Sequence, residues 1–492
     1  MKQIEWTTQR RYQPYEKWDE AYQEQLQKEI ANSSWRFHYH IQPFQGLLND
    51  PNGFSYFNKQ WHLFYQNFPM GPVHGLKSWR HLTSTDLVHW HDQGFALTPT
   101  APYTSHGVYS GSAIPVDEQL FLMYTGNVRD KDWQRDTYQL GAWMEKNGKI
   151  TQKDLPLIHL PKGYAEHFRD PQIFKYDNTY YCLIGAQNEK KEGVIALFQS
   201  DNLQDWTQLG NLNFTKEKMG YMIECPNLIF INQQAVLIFC PQGLDKTQIP
   251  YDNIYPNMYV LGTRFETKTQ TITDTTPLHQ LDEGFDIYAT QAFNAPDGRA
   301  LAVSWVGLPD LSYPSDNEGW AHCLSLVKEL TIKDNHLYQY PVVETKQLRQ
   351  GKQIAKTENS PCLFEKTNNC YELHMVLPAD FCGTLRLFAS KNNDDALRIH
   401  INGQKHQLTV DRSHCGERFA SEYKDTRTAS LPHDKIELNI FIDASMFELY
   451  INKGRKTMTG RVFPNKENQA IFLEGNHNIA VTCYDMERNI MN

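Results

Sequence analysis

Three acidic residues stand out by their company: Asp50 in Asn49-Asp50-Pro51-Asn52-Gly53, Asp170 in Arg169-Asp170-Pro171, and Glu224 in Glu224-Cys225-Pro226. Taken singly, Asp-Pro and Asn-Gly are turn formers, and a strand-entry turn explains each of them. Taken together, that explanation fails, because a turn needs no acid at all three places. Carboxylates that converge raise the pKa of at least one of their number, an arrangement kept for function more often than for stability. Two carboxylates flanking a glycosidic bond are the least equipment for hydrolysing it, one protonating the leaving oxygen and the other attacking or directing water. Neighbouring residues suggest the division of labour. Glu224 lies between Met222-Ile223 and Cys225-Pro226, an apolar setting that predicts a protonated acid. Asp50 has Asn49, Asn52 and the Gly53 backbone as donors, which favour a carboxylate nucleophile. Asp170 beside Arg169 is expected to stay ionised.

Internal repetition supplies the means of bringing such distant residues together. Five apolar runs, centred on Leu63, Leu122, Cys182, Leu237 and Val303, recur about every sixty residues. Ahead of each lies a polar residue at the start of another run: Asp50, Ser110, Asp170, Glu224 and Asp286. A second marker, Ser84-Thr85-Asp86-Leu87 and Ser200-Asp201-Asn202-Leu203, repeats at 116 residues, close to two periods. Short aromatic and β-branched runs separated by Gly, Pro, Asn and Asp read as antiparallel strands. A sixty-residue unit of four such strands is one blade of a propeller, and equivalent positions on inner strands converge at one mouth of the central channel. The chain is therefore expected to be all-β: a five-bladed β-propeller over 38–345, a polar linker at 346–356 and a β-sandwich over 357–492. The sandwich rests on alternating runs such as Leu397-Arg398-Ile399-His400-Ile401. Within the N-terminal extension 1–37, Trp18 to Ile30 predicts a short polar helix lying on the body.

Composition narrows the partners. A net charge of −9 over 492 residues disfavours a general nucleic-acid or anionic-membrane surface, so an anionic substrate needs a local basic cluster. Met1 to Gln13 carries no apolar core segment, which predicts neither a secretory signal nor a membrane anchor. Nine cysteines without a Cys-x-x-Cys pair argue against a disulfide framework or structural zinc, and a cytoplasmic protein is expected.

The acidic blocks carry a resemblance. With Phe64-Tyr65-Gln66-Asn67, Tyr109-Ser110-Gly111-Ser112 and Ser84-x-Asp86-Leu87, they resemble, in order, the glycoside hydrolases that include invertases, fructanases and bacterial sucrose-6-phosphate hydrolases. Asp443-Ala444-Ser445-Met446-Phe447-Glu448 through Arg461-Val462-Phe463-Pro464 is similar to that family's sandwich signature. The resemblance implies a propeller followed by a sandwich, with Asp50 as nucleophile, Glu224 as acid/base and Asp170 as transition-state stabiliser. It implies that Leu47, Leu48, Asn49, Gln66, Trp79, Tyr109, Ser110 and Arg169 hold the fructosyl unit. Leu47 stands where the family often has Trp, and Arg80 where Gly commonly follows the tryptophan. The implied mechanism is retaining, needs no metal or organic cofactor, and sets the carboxyl groups about 5–5.5 Å apart.

Residues 74–81 and 127–131 are similar to the members that cleave phosphorylated sucrose. A phosphate is best held by Arg or Lys near the pocket mouth, so Lys77, Arg80, Arg129, Lys131 and Arg135 are the candidate ligands. Two alternatives remain at this point: cleavage of plain sucrose or fructans, and a propeller lectin whose acids serve only as hydrogen-bond acceptors. A small sugar is the expected partner in every case.

Overall fold

The computed structural model describes residues 4–391 and 394–488. The first three residues of the expected extension and the last four of the expected sandwich lie outside the described residues. Up to Pro341 the chain forms five largely antiparallel sheets of four or five strands, with Trp320–Ala321 returning to pair parallel with the first, and a small two-stranded ribbon, Phe265–Glu266 with Thr271–Ile272. Their first strands, Gly46–Phe57, Val108–Val116, Tyr164–Tyr176, Met222–Ile231 and Ile287–Asn294, touch one another in cyclic order, the last closing onto the first. This closed ring of sheets is the propeller. Packing between sheets is supplied by the apolar repeat, for Leu63, Leu122, Leu183, Leu237 and Val303 are all fully buried. Removing a side chain of that size from water contributes about 1.5–3 kcal/mol each.

Every first strand breaks its pairing register at the same place, between Leu48 and Pro51, Val108 and Gly111, Arg169 and Gln172, Glu224 and Asn227, and Tyr288 and Gln291. Such a bulge re-aims side chains that the pleat would otherwise alternate between faces. Asp170, Cys225 and Ala289 occupy it with positive φ, at 66°, 48° and 45°. One or two residues past the bulge, a side chain ties each strand to the next. Asn52 accepts from the Gly111 N–H, Ser112 from Ile173, Gln172 from Leu228, Asn227 from Ala292, and Gln291 from Phe54, at 2.7–3.2 Å. A ring of side-chain-to-backbone bonds thus satisfies the N–H groups that the bulges free, and fixes the rotation of each blade about the axis.

The bulge register corrects the phase read for the fifth repeat. Tyr288 and Ala289, not Asp286, are the equivalents of Glu224 and Cys225. Asp286 precedes its strand and is buried against the second half of the chain, accepting from Tyr313 Oη at 2.8 Å, Arg412 Nη1 at 3.0 Å and the Arg461 N–H at 2.8 Å.

From residue 349 onward two six-stranded sheets face each other around one apolar cluster that includes Tyr371, Leu385, Phe388, Ile399, Ile440 and Phe447. The stretch 346–356, expected as a linker, is instead the end of a 3-10 turn followed by the strand Arg349–Lys356, which pairs with Ala480–Met486 at the edge of one sandwich sheet. Its polarity reflects that edge position: Gln350 to Gln353 are exposed, and lysines on an edge oppose pairing with another chain.

Ring and sandwich are locked together through Asp443. Its carboxylate accepts from the N–H groups of His38, Tyr39 and His40 and from Nδ1 of both histidines, all within 2.7–3.0 Å. The helix Glu20–Ala31, capped by Asp19, buries Leu26 and Ile30 against Trp320 of the ring and Met446 of the sandwich.

Candidate active site

At the mouth of the ring, the bulges of the first, third and fourth strands bring Asp50, Asp170 and Glu224 into one cup. Asp50 sits in a polar net. Asn49 Nδ2 donates to its Oδ1 at 3.0 Å and to Gln66 Oε1 at 2.6 Å. The Ser110 hydroxyl donates to Asp50 Oδ2 and itself accepts from Gln66 Nε2 at 2.8 Å. Lys77 Nζ donates to Gln66 Oε1 at 3.0 Å. The buried Asn49 Oδ1 has no hydrogen-bond partner.

Glu224 is held by a different set. Arg169 donates to its Oε1 through Nε at 3.0 Å and Nη2 at 2.6 Å, while Gln242 Nε2 and the Tyr288 hydroxyl donate to Oε2 at 2.7 and 2.6 Å. Asp170 receives the Cys225 N–H at 3.1 Å, and the Cys225 thiol lies 3.6 Å from Asp170 Oδ2 and 3.8 Å from Asp50 Oδ2.

Proton placement overturns the sequence-based expectation. Burial pushes Glu224 up, but the Arg169 guanidinium and the Tyr288 hydroxyl outweigh it and hold its carboxyl below the usual range. Burial raises Asp170 to about 7, assisted by Glu224 and Asp50 and opposed by Arg169. Adjacent residues of a strand point to opposite faces, so Arg169 reaches across to the next blade rather than to its neighbour Asp170. The surroundings thus push Asp170 toward its protonated form and Glu224, paired with Arg169, toward its ionised form, within one coupled cluster. Asp50, Asp170 and Cys225 place ligand atoms within 4.8 Å of one another, close enough to be considered for a cation. Burial and the two aspartates push the thiol well up, so a cation would have to displace a firmly held proton.

The chain matches "Glycosyl hydrolases family 32 N-terminal domain" over residues 40–341 and "Glycosyl hydrolases family 32 C terminal" over 343–484. The chain belongs to glycosyl hydrolase family 32. It is 51% identical to a sucrose-6-phosphate hydrolase of Pediococcus pentosaceus over 96% of this chain and 94% of that one. It is 49% identical to one from Lactococcus lactis subsp. lactis, over 95% and 97%. Among solved structures it superimposes on sucrose-6-phosphate hydrolase from Lactobacillus gasseri with a TM-score of 0.96 at 46% identity, covering 99% and 100% of the chains. The Bombyx mori GH32 β-fructofuranosidase gives 0.83 at 26%, covering 96% and 99%. Membership of family 32 makes the chain a glycoside hydrolase and sets the lectin alternative aside.

Within this family 32 cup the remaining sequence candidates fall into three groups. Asn49, Gln66, Ser110 and Arg169 belong to the hydrogen-bond net around the acids. Trp79 is fully buried, its Nε1 donating to the Tyr109 carbonyl at 2.9 Å, so it shapes the wall behind Tyr109 rather than facing the cup. Leu47 and Leu48 are buried as well, Leu48 in the apolar cluster with Phe54, Tyr65 and Trp305, because they precede the bulge that turns Asp50 inward.

The basic candidates divide too. Lys77 is buried inside the cup, where burial lowers its pKa, and is no rim residue. Arg80 lies on the other face of its strand, bonded to Asp92 at 2.7 Å and flanked by the rings of Phe44 and Phe95. Lys131 is exposed at the tip of the turn following Asp130. Arg129 and Arg135 pair directly across their hairpin. Sequence reading missed Gln242, Tyr288 and His167. Tyr288 was within reach, since it holds Glu224's position in the fifth repeat. His167 Nδ1 lies 3.1 Å from Arg169 Nη1 and 3.4 Å from Arg135 Nη1, and burial together with those two cations lowers its pKa to about 4, so it is a neutral acceptor between them.

Proposed function

We propose that this family 32 hydrolase cleaves the β-fructofuranosidic bond of sucrose 6-phosphate by a retaining mechanism. Asp50 attacks C2 of the fructosyl unit, Glu224 protonates the departing glucosyl oxygen, and water deprotonated by the same Glu224 then releases fructose. Asp170 opposes the positive charge that develops on the ring. Because Arg169 favours the ionised form of Glu224, the first step requires the proton of the acid cluster to reach Glu224. A sugar hydroxyl competing for Arg169 does this by weakening the ion pair.

The observation carrying the phosphate assignment is the Arg129–Arg135 pair. Two guanidiniums directly opposite on a hairpin repel each other, and each has a buried Nε without a partner. A phosphate dianion between them reverses the repulsion and supplies the acceptors. Arg135 also acts electrostatically on Glu224, which supports a place for the pair near the acid that protonates the leaving group. The sucrose-6-phosphate hydrolases among the relatives support the same reading. Nine free thiols favour a reducing compartment, the cytoplasm.

The test compares kcat/KM for sucrose 6-phosphate and sucrose, with the expectation that the phosphorylated sugar is preferred by about a hundredfold. Arg129→Gln and Arg135→Gln should each remove most of that preference. Equal values for the two sugars in the unaltered enzyme would remove the phosphate from the assignment and leave a plain β-fructosidase.

A further inference from the structure

The family 32 match begins at residue 40, yet the pocket does not. Residues 6–22 lie along the loop that leads into Lys77, in contacts spaced over the whole segment. Leu76 N–H donates to the Arg11 carbonyl at 2.8 Å. The Tyr15 hydroxyl reaches the Leu76 carbonyl and lies 2.9 Å from Ser78 Oγ, and the Tyr22 hydroxyl donates to the Met70 carbonyl at 2.6 Å. Two glycines make room for this arm. A Cβ on Gly71 would stand 2.1 Å from the Trp6 ring, and one on Gly75 2.7 Å from the Arg11 carbonyl. Tyr12, between these anchors, turns toward the cup. Its ring packs on His106 at 5.6 Å and edge-on to Trp133 at 5.2 Å, and its hydroxyl lies near enough to Tyr109 for the two phenols to act on each other. Trp133 in turn lies under the Arg129 guanidinium, and His106 Nδ1 accepts from the Arg129 N–H at 3.2 Å.

We propose that Tyr12, supplied by the N-terminal arm, is a specificity-determining residue that closes the leaving-group side of the pocket over Arg129 and Arg135 and donates to the phosphate of the substrate. The inference rests on the phosphate assignment above. Its chemistry is simple. A protonated phenol carries one O–H, and Tyr12, beside Tyr109, can offer its own to an anion. Burial pushes the Tyr12 phenol well up, so it stays a donor wherever the enzyme works. The rings of Tyr12, Trp133 and His106 cover part of the surface around Arg129, and partial desolvation strengthens the attraction of a cation for a dianion. The position outside the family-wide match fits this division: fructosyl chemistry belongs to residues inside the match, and recognition of one kind of leaving group to a segment outside it.

The experiment measures kcat/KM for sucrose 6-phosphate and sucrose, with melting temperature, for the full-length enzyme, Tyr12→Phe and Tyr12→Ala. Tyr12→Ala should lower the ratio of the two kcat/KM values about tenfold, mainly through KM for the phosphorylated sugar. Tyr12→Phe, which keeps the ring and removes the donor, should lower it about threefold. A ratio within about twofold of the unaltered enzyme's in both variants, or equal losses on both sugars, overturns the role of Tyr12 while leaving the phosphate assignment intact. A ratio near one in the unaltered enzyme overturns both. Should Tyr12→Ala melt early, the near-isosteric Tyr12→Phe alone decides between these outcomes.

Discussion

Two of the protein's buried carboxylates, Asp443 and Asp170, are treated in opposite ways. At the junction of ring and sandwich, Asp443 is saturated: three backbone N–H groups and two imidazoles point at one side chain. Burial alone would raise it, but these donors win and hold it well below the usual carboxylate range. At the axis of the ring, Asp170 is also deeply buried, receives the Cys225 N–H, and faces two further carboxylates. It is raised to about 7. A saturated carboxylate is a structural anchor whose charge never changes at ordinary pH. An undersaturated one keeps a proton in play, which is what acid/base chemistry needs and what stability alone would not select.

Substitution should separate the two sites by kind of effect. Asp50→Asn leaves shape and hydrogen-bonding partners nearly intact and removes the nucleophile, so turnover should fall by about ten-thousandfold or more with an unchanged melting temperature. A variant that kept substantial activity would take Asp50 out of the nucleophile's role. Asp443→Asn should do the reverse. An amide offers one acceptor oxygen to five donors and turns its NH₂ toward some of them, so folding stability should fall by about 3–5 kcal/mol in urea unfolding. The folded fraction should keep its kcat, and a selective loss of kcat would show that the junction reaches the cup.

The same contrast explains what can be read in the sequence. Asp50, Asp170 and Glu224 are legible because the repeat is carried by backbone geometry: each sits at a bulge, and the bulges recur with the blades. Asp286 misleads for the same reason, since an acid near the right phase resembles a repeat member until pairing register distinguishes Tyr288 as the equivalent position. Proton placement is illegible. It depends on Arg169 crossing to Glu224 in the next blade, and neighbours in sequence suggest the wrong partner, Asp170. Arg80 and Lys77 are misread because the strand turns Arg80 outward to Asp92 while the loop before it turns Lys77 inward to Gln66, a difference that composition does not carry. Tyr12 leaves no trace at all, for it belongs to no repeat.

Activity against pH sharpens the contrast further. The acid cluster keeps its shared proton below about pH 7, the value to which Asp170 is raised, and loses it above. Once that proton is lost, none is available for the leaving oxygen. The kcat/KM profile should therefore fall on the alkaline side with an apparent pKa near 7, by up to about tenfold per pH unit, and that value belongs to the coupled cluster rather than to one residue. Arg169→Gln removes the cation that favours ionisation, so the alkaline limb should move to higher pH even as the rate drops. A limb that stayed in place would mean that Arg169 does not set the proton's position.

The junction should respond to pH in stability alone, and by less. His40 is buried between Asp443, at 3.0 Å from Nδ1, and Glu448, at 3.2 Å from Nε2, with Lys328 at 3.9 Å and the Tyr450 hydroxyl on the far side of Glu448. Burial opposes its charge, but hydrogen bonds to both carboxylates prevail and raise it to about 9. A histidine raised in the folded state contributes stability in full below its unfolded value of about 6.5, and loses it as pH climbs through about 9. His40→Gln should therefore cost most at about pH 6, and the gap in unfolding free energy should shrink by about 1–3 kcal/mol between about pH 6 and about pH 9.5. A gap that stayed constant would mean that His40 is neutral in its cage, and that the two carboxylates rely on Lys328 and the backbone donors for their charge.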